Sequence, residues 1–225
     1  MSEAIAKTIE HTLLTAAATP GEIAQLCREA AEHGFHGVCV NPILVPLAAG
    51  ELLGASPCVV SVVAFPLGAT VPAVAAAAAR QAVADGATEI DMVIPVGLAL
   101  VGDDAAVTRS VTAVREAIPG QTLKVILETG HFPAERIVAL GRLAVAAGAD
   151  FLKTSTGFGP RGATVEDVRL LVEAAEGRAG VKAAGGIRSA EAARALLEAG
   201  ASRLGTSAGV AIVAGLGARP AAQSD

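Results

Sequence analysis

"AAGADFLKTS", residues 146–155, ends a helical pattern on a glycine and then begins a short apolar strand. The same order of helix, glycine and strand occurs at residues 32–41, 84–93 and 198–207. The glycine stands where the residue after a helix takes a positive φ. Each copy is therefore the αβ half of a βαβ unit, and the repeat predicts parallel strands joined by helices.

Four further apolar stretches complete the strand pattern, at residues 8–14, 59–65, 123–128 and 180–186. Eight strands that alternate with helices in 225 residues favour the α/β class and a closed (β/α)8 TIM barrel over a doubly wound sheet. No GxGxxG motif follows the first strand, which weakens a dinucleotide-binding alternative. We expect a single domain over residues 1–225, with a short flexible C-terminal tail from about residue 216.

Position within the repeat predicts which side chains meet inside the barrel. Cys39, Asp91, Lys153 and Gly205 each lie five residues after their repeat glycine. They are therefore expected at equivalent levels of their strands, and the alternation of strand side chains gives them a common inward direction. In TIM barrels the chemistry lies at the C-terminal ends of the strands, so this level is the first place to look for a site.

Lysine is rare in this chain and unusually placed. Only four of the 17 basic residues are lysines, and Lys124, Lys153 and Lys182 fall in apolar strands. A desolvated lysine beside another cation loses its proton, and the neutral amine forms a Schiff base with a carbonyl carbon. Lys153 and Lys182, on consecutive strands, fit a pair in which one is the nucleophile and the other stays charged.

The residues alone leave alternatives for these lysines. They do not decide which of the two is the nucleophile, and each lysine could instead pair with a carboxylate such as Asp91 or Glu128. Lys124, placed near the start of its strand, is predicted to form a structural ion pair.

Glycine-rich turns follow the last three predicted strands, at residues 156–159, 183–189 and 204–209. In barrels of this kind such turns often bind phosphate through backbone N–H groups. They predict a phosphorylated small-molecule substrate, with Ser207 and Arg188 as polar contacts.

Other features exclude classes of function. A net charge of −5 and the lack of any Lys/Arg cluster argue against a nucleic-acid partner. The charge-free stretch at 52–79 is interrupted by prolines, so no membrane span is expected, and the N-terminus has no signal-peptide pattern. The three cysteines lack CxxC spacing, which fits a cytoplasmic protein.

The histidines and Cys39 give no catalytic pattern. His33 and His36 fall on the face opposite to the chemistry, and no HxH or HExxH spacing is present, so no metal site is expected. Cys39 is interpreted as a small pocket-lining residue because no histidine partner for a nucleophilic thiol is identifiable.

Several ordered blocks resemble one family over nearly the whole chain. They include "EHTLL" (10–14), "DGATEIDMVI" (85–94), "GADFLKTSTGF" (148–158), "VKAAGGIR" (181–188) and "GTSAG" (205–209). These blocks are similar to those of the 2-deoxyribose-5-phosphate aldolases. Members of that family are class I aldolases that interconvert deoxyribose 5-phosphate with glyceraldehyde 3-phosphate and acetaldehyde, without an external cofactor.

The resemblance implies a role for each matching residue. Lys153 would be the Schiff-base lysine, Lys182 the cation that lowers its pKa, and Asp91 a proton relay through an ordered water. Thr154 joins Cys39 among the implied pocket-lining residues, and the family is often dimeric or tetrameric. The implied phosphate contacts are Gly157, Gly186, Gly205 and Ser207.

Some positions depart from the family pattern and concern the pocket rim. These are residues 94–97 ("IPVG"), residues 131–132 ("HF") and Thr15; the chain also contains no tyrosine, although some members use one in a C-terminal tail. Two alternatives to an aldolase stay open: a phosphate-binding barrel isomerase with Glu128 or Asp91 as base, and a catalytically silent barrel that binds sugar phosphates.

Overall fold

The computed structural model describes residues 2–217, in which eight parallel strands pair in chain order and close into a barrel. The predicted α/β class and (β/α)8 TIM barrel are confirmed, and every predicted strand is present. The strands are β1 (Ile9–Leu13), β2 (Gly37–Val40), β3 (Cys58–Val63), β4 (Glu89–Val93), β5 (Thr122–Ile126), β6 (Phe151–Lys153), β7 (Gly180–Ala184) and β8 (Arg203–Thr206).

Over residues 2–217, ten α-helices surround the barrel or cover its ends. The two shortest, at the N-terminus and after β4, were not predicted. They are α1 (Ser2–Ala6), α2 (Pro20–His33), α3 (Val45–Glu51), α4 (Pro72–Ala84), α5 (Val96–Leu100), α6 (Asp104–Ala117), α7 (Ala134–Ala146), α8 (Val165–Ala175), α9 (Ala190–Glu198) and α10 (Gly209–Gly217). Within residues 2–217, no helix is both long enough and apolar enough to cross a membrane.

The predicted C-terminal tail begins inside a helix. Residues 216 and 217 belong to α10, while residues 218–225, on which the rest of that prediction falls, lie outside the described residues. The single-domain organisation stays a prediction.

The helix α2 shows how the repeat is encoded locally. Thr19 accepts a hydrogen bond from the backbone N–H of Glu22, and the Glu22 carboxylate accepts one from the Thr19 N–H, which forms a capping box. At the other end Gly34 takes φ 65°, a left-handed conformation that costs glycine little. The helix therefore ends at its repeat glycine, and the chain turns at once into β2.

The hydrophobic core has two parts. The larger part lies between the barrel and the helices, and the smaller one fills part of the barrel interior with Leu14, Cys39, Val60 and Val62. Burying such aliphatic side chains contributes about 1.5–3 kcal/mol each. Because the smaller cluster belongs to β2, β3 and the residue that follows β1, that side of the interior is apolar.

The strand register sets the levels inside the barrel. Cys39 on β2 is paired with Val60 on β3, and Val60 is paired with Glu89 on β4, which lies two residues before Asp91. From Asp91 the same step leads to Phe151, two residues before Lys153. Each step across two strands shifts the register by two residues, and four steps complete the circle. The total register shift around the barrel is therefore eight residues, and residues from alternate strands lie at the same level.

This offset confirms the level that the repeat predicts. Cys39, Asp91, Lys153 and Gly205, from β2, β4, β6 and β8, form one inward layer. The layer beneath it comes from the odd-numbered strands and consists of Glu10, Val60, Lys124 and Lys182.

Candidate active site

One buried carboxylate, that of Asp91, joins the three strand lysines. Its Oδ1 accepts a hydrogen bond from Lys124 Nζ at 3.0 Å, and its Oδ2 accepts bonds from Lys153 Nζ at 2.7 Å and Lys182 Nζ at 2.6 Å. None of these four side chains is more than 3% exposed. The structure thus brings together the three residues predicted as catalytic, and adds Lys124 to them.

A second buried carboxylate, Glu10 on β1, was missed by the sequence reasoning. Its Oε2 accepts a hydrogen bond from Lys182, and its Oε1 lies 3.3 Å from Lys124 Nζ. The Glu10 side chain is fully buried, one layer below Asp91. The sequence did carry a signal for Glu10, because it is a charged residue in an apolar strand, as the three lysines are. Side chains alternate along a strand, so Glu10 and Thr12 of β1 both point into the barrel.

Lys124 is a structural counter-ion rather than a residue of the pocket. It lies in the middle of β5, not at its start, and its Nζ also lies 2.5 Å from Glu89 Oε2. Burial lowers the pKa of Lys124, but the charges of Asp91, Glu10 and Glu89 outweigh this and raise the pKa well above the ordinary value. The structure thus places Lys124 in the ion-paired setting predicted for it.

The local charges separate the two candidate nucleophiles. Burial is the main factor that lowers the pKa of Lys153; the Lys182 ammonium lowers it further, and Asp91 opposes both effects only in part. Burial also lowers the pKa of Lys182, but Asp91 and Glu10 together raise it above the ordinary value. Of the two amines, Lys153 therefore loses its proton more readily, and Lys182 is the one whose charge is stabilised. This is the choice that the residues alone left open.

Gly205 makes room for the Lys182 side chain. A Cβ at Gly205 would lie 3.1 Å from Lys182 Cε and 3.0 Å from Ala184 Cβ, both tighter than ordinary packing. With glycine at this position, the Lys182 side chain rises from its own layer to reach Asp91.

A cavity of about 270 Å³ opens above Lys153, at the C-terminal ends of the strands. Of Asp91 and the three lysines bonded to it, Lys153 lines this cavity, so its amine is the group that a ligand would meet. The five residues predicted to contact phosphate all line the same cavity: Gly157, Gly186, Arg188, Gly205 and Ser207. Gly157 and Gly186 have positive φ values of 88° and 77°, which suit glycine.

Two residues expected to line the pocket lie outside its wall. Cys39 is fully buried in the layer of Lys153, and burial raises the pKa of its thiol to about 11, so the thiol is protonated and unreactive. Thr154 is also fully buried: its Oγ1 donates to the Ala184 carbonyl and accepts from the Ala184 N–H. Cys39 packs beneath the site, and Thr154 ties β6 to β7.

Glu128, the alternative base, is engaged in holding a loop. It is 2% exposed, and its Oε2 accepts a hydrogen bond at 2.5 Å from Thr156 Oγ1. The Thr156 N–H also donates to this carboxylate, at 3.3 Å. Glu128 therefore anchors the loop that follows β6, and this contact weakens the isomerase alternative.

The loops after β6 and β7 pack against each other at glycines. The N–H of Ala163 donates to the Gly185 carbonyl at 3.1 Å. A Cβ at Gly162 would lie 2.2 Å from that carbonyl oxygen. Gly162 is thus required for the close approach of the two loops that border the cavity.

Gly162→Ala is expected to destabilise the protein by about 1–3 kcal/mol, because a backbone atom must move to admit the methyl group. Urea unfolding measures this change. Gly120→Ala is the matched control, since a Cβ at Gly120 meets nothing within 4 Å, and its effect should stay within about 0.5 kcal/mol. Equal effects of the two substitutions would contradict the tight loop contact.

The closed barrel and its buried lysine–carboxylate centre under a glycine-lined cavity are the features of a TIM-barrel aldolase. The chain belongs to the DeoC/LacD family of aldolases, whose family model matches residues 3–215.

Individual relatives are similar over almost their full length. The chain is 55% identical over 213 residues to a deoxyribose-phosphate aldolase of Thermus thermophilus, covering 95% of this chain and 97% of the relative. It is 52% identical to one of Deinococcus radiodurans, covering 94% and 96%. A solved tetrameric deoxyribose phosphate aldolase of Aeropyrum pernix superposes with a TM-score of 0.90 at 34% identity, covering 96% and 92%.

Proposed function

We propose that this enzyme reversibly cleaves 2-deoxy-D-ribose 5-phosphate to D-glyceraldehyde 3-phosphate and acetaldehyde, through a Schiff base on Lys153. The observation that carries the proposal is the position of the Lys153 amine, whose pKa is lowered and which faces a cavity bordered by three glycine turns. The names and high identity of the relatives support the choice of substrate.

The proposed reaction begins when neutral Lys153 attacks the aldehyde carbon, C1, of the open-chain sugar. The carbinolamine loses its hydroxyl as water and becomes an iminium ion, which withdraws electrons from C2. A base then takes the proton of the C3 hydroxyl, and the C2–C3 bond breaks. Its electron pair forms the enamine, and C3 leaves as the aldehyde of glyceraldehyde 3-phosphate. Protonation at C2 and hydrolysis of the iminium release acetaldehyde and restore Lys153.

Asp91 and Lys182 are the groups proposed to move protons in these steps. Asp91 Oδ2 contacts both amines, so a proton can pass between Lys153, Asp91 and Lys182 with little movement of heavy atoms. Lys182 keeps its charge because of Asp91 and Glu10, and this charge favours the neutral form of Lys153. No external cofactor is required by this scheme, since the iminium ion is itself the electron sink.

The substrate phosphate is proposed to bind at the turns after β7 and β8. Gly186, Gly205 and Ser207 line the cavity, their backbone N–H groups are the proposed donors, and α10 begins at Gly209 with its positive dipole end nearby. Thr206 Oγ1 donates to the Ile187 carbonyl at 2.7 Å, which fixes the two turns relative to each other. A site on fixed backbone groups suits a phosphate dianion.

Borohydride reduction in the presence of acetaldehyde, without added metal, tests the covalent step. We expect one ethyl group on Lys153 by intact mass and peptide mapping. If no adduct forms while deoxyribose 5-phosphate still binds, the lysines act only electrostatically, and the isomerase or the silent binding barrel becomes the better interpretation.

Arg188→Met is expected to raise KM for deoxyribose 5-phosphate about tenfold, with kcat little changed, because one exposed charge-assisted contact to the phosphate is lost. Steady-state kinetics with deoxyribose 5-phosphate and with unphosphorylated deoxyribose measure this, and the second substrate should be insensitive. Arg194→Met, at an exposed position on α9, is the matched control. A similar loss with both substrates would contradict a phosphate contact.

We also propose that the chain forms homo-oligomers, dimers or tetramers, and works in the cytoplasm. The loop before α4 and the start of that helix expose Leu67, Val71 and Val74, and α5 exposes Leu98 and Leu100, which supports a covered face. All three cysteines are free thiols, as expected in a reducing compartment. Light scattering of the purified protein measures the oligomeric state.

A further inference from the structure

Three side chains that bind metals in many proteins meet at the end of the barrel opposite to the cavity. His36 precedes β2, Cys58 begins β3, and Glu89 begins β4. His36 Nε2 lies 3.0 Å from Glu89 Oε1. The ring nitrogen, the thiol sulfur and the carboxylate oxygen all lie within 4.8 Å of one another.

The three donor atoms lie near enough for small side-chain rotations to bring them to the spacing of a zinc site. With bonds of about 2.0–2.1 Å to nitrogen and oxygen and about 2.3 Å to sulfur, tetrahedral zinc holds its ligand atoms about 3.3–3.6 Å apart. Nitrogen, sulfur and oxygen from His, Cys and Glu are the donors that Zn²⁺ prefers. We propose that His36, Cys58 and Glu89 form a binding site for a zinc-class divalent cation, with water as the fourth ligand.

The protein positions each of these donors. The backbone carbonyl of His36 accepts a hydrogen bond from the Cys58 N–H at 3.0 Å, so the first two donors lie on adjacent paired segments. A Cβ at Gly37 would lie 2.5 Å from Cys58 Sγ, so the glycine leaves the space that the thiol occupies. Rigid elements therefore hold the donors before any ion arrives.

The outer contacts of the site also fit a metal. Glu89 Oε2 lies 2.5 Å from Lys124 Nζ, which orients the carboxylate so that Oε1 faces His36 Nε2, and a metal ion would replace the hydrogen bond between these two atoms. The His36 and Glu89 side chains keep 23% and 12% of their surface exposed, which gives water and an ion a path to the site. On binding, the thiol proton of Cys58 leaves to solvent and the thiolate takes its place on the metal.

This site is separate from the reaction proposed above. It lies at the N-terminal ends of the strands, whereas Lys153 and the cavity lie at the C-terminal ends. A cation here would join the starts of β2, β3 and β4, and so would stabilise the barrel without touching the substrate. Its binding can therefore be tested whether or not the aldolase reaction is established.

The test uses the untagged full chain, reduced and freed of metal with a chelator that is then removed. Calorimetric titration with ZnCl₂ should show one equivalent bound with saturation, and CoCl₂ should give a thiolate-to-metal absorption band. Zinc at about a hundredfold excess over Kd should raise Tm by about 5 °C.

Substitutions assign the ligands. Cys58→Ala and His36→Gln should each weaken zinc binding by more than about tenfold, since even outer-shell partners cost that much. Cys27→Ala and His33→Gln, which change a thiol and an imidazole outside the cluster, are the matched controls and should bind zinc like the original protein.

Two results would overturn the site: failure of the original protein to bind one saturable equivalent, or unchanged binding by both Cys58→Ala and His36→Gln. Loss of the cobalt–thiolate band in Cys58→Ala but not in Cys27→Ala would support it directly.

Discussion

Lys153→Met is expected to lower kcat/KM for deoxyribose 5-phosphate cleavage by a factor on the order of 10⁴ or more, because the variant loses the amine that we propose forms the Schiff base. Methionine has a similar length and suits the buried position, and Asp91 keeps Lys124 and Lys182 as counter-ions. The protein should therefore fold. Coupled measurement of glyceraldehyde 3-phosphate release gives the rate, and circular dichroism checks the fold.

Two controls make the Lys153 experiment specific. Lys7→Met changes a lysine whose side chain is 68% exposed, and it should leave both the activity and the borohydride adduct unchanged. Lys153→Met should abolish the adduct as well as the activity. A fall in activity of only a few fold, with an adduct still formed elsewhere, would contradict the assignment of Lys153 as the nucleophile.

Lys182→Met is expected to lower kcat by about 10²–10⁴-fold, the usual range for a lost proton-transfer group, and to move the pH profile. The direction of the shift follows from the charges. Burial and the Lys182 ammonium both lower the pKa of Lys153, so removal of the ammonium raises that pKa. Less of Lys153 is then neutral at pH 7, and the rising acid limb of kcat/KM should move to higher pH.

A double variant tests whether Lys182→Met loses activity merely because the protein is destabilised. In Lys182→Met the buried Glu10 carboxylate keeps only one cation nearby, Lys124 at 3.3 Å. Its negative charge is then poorly balanced, which destabilises the fold. Glu10→Gln combined with Lys182→Met removes that charge and should recover stability in urea unfolding without recovering activity. An acid limb that stays in place in Lys182→Met would show that another group sets the pKa of Lys153.

The barrel was predictable because its signal is local and repeated. Each glycine at the end of a helix, such as Gly34 or Gly148, marks a turn into a strand, and the count of such units gives the closed architecture. The common level of Asp91 and Lys153 was predictable for the same reason, since equal distances from equivalent glycines place both at one height. The short helices α1 and α5 carry no repeat signal of this kind, and they were missed.

The charged contacts of the site were only partly predictable, because they join strands that are distant in sequence. Glu10 and Lys182 are bonded although they are 172 residues apart in the chain, and the sequence around neither residue indicates the pairing. Glu128 is a plausible base in the sequence, but the structure shows it bonded to Thr156 in a neighbouring loop. The order of the two lysine pKa values depends on which carboxylates each amine reaches, and that requires three-dimensional positions.

The charges inside the barrel are divided between the two halves of the chain. The half with β1 to β4 supplies the carboxylates Glu10, Glu89 and Asp91, and the half with β5 to β8 supplies the lysines Lys124, Lys153 and Lys182. Either half alone would have to bury like charges without partners, which is costly. The two half-barrels are therefore electrostatically complementary, and the closure of the barrel is the event that both pairs the buried carboxylates with cations and assembles the reactive amine.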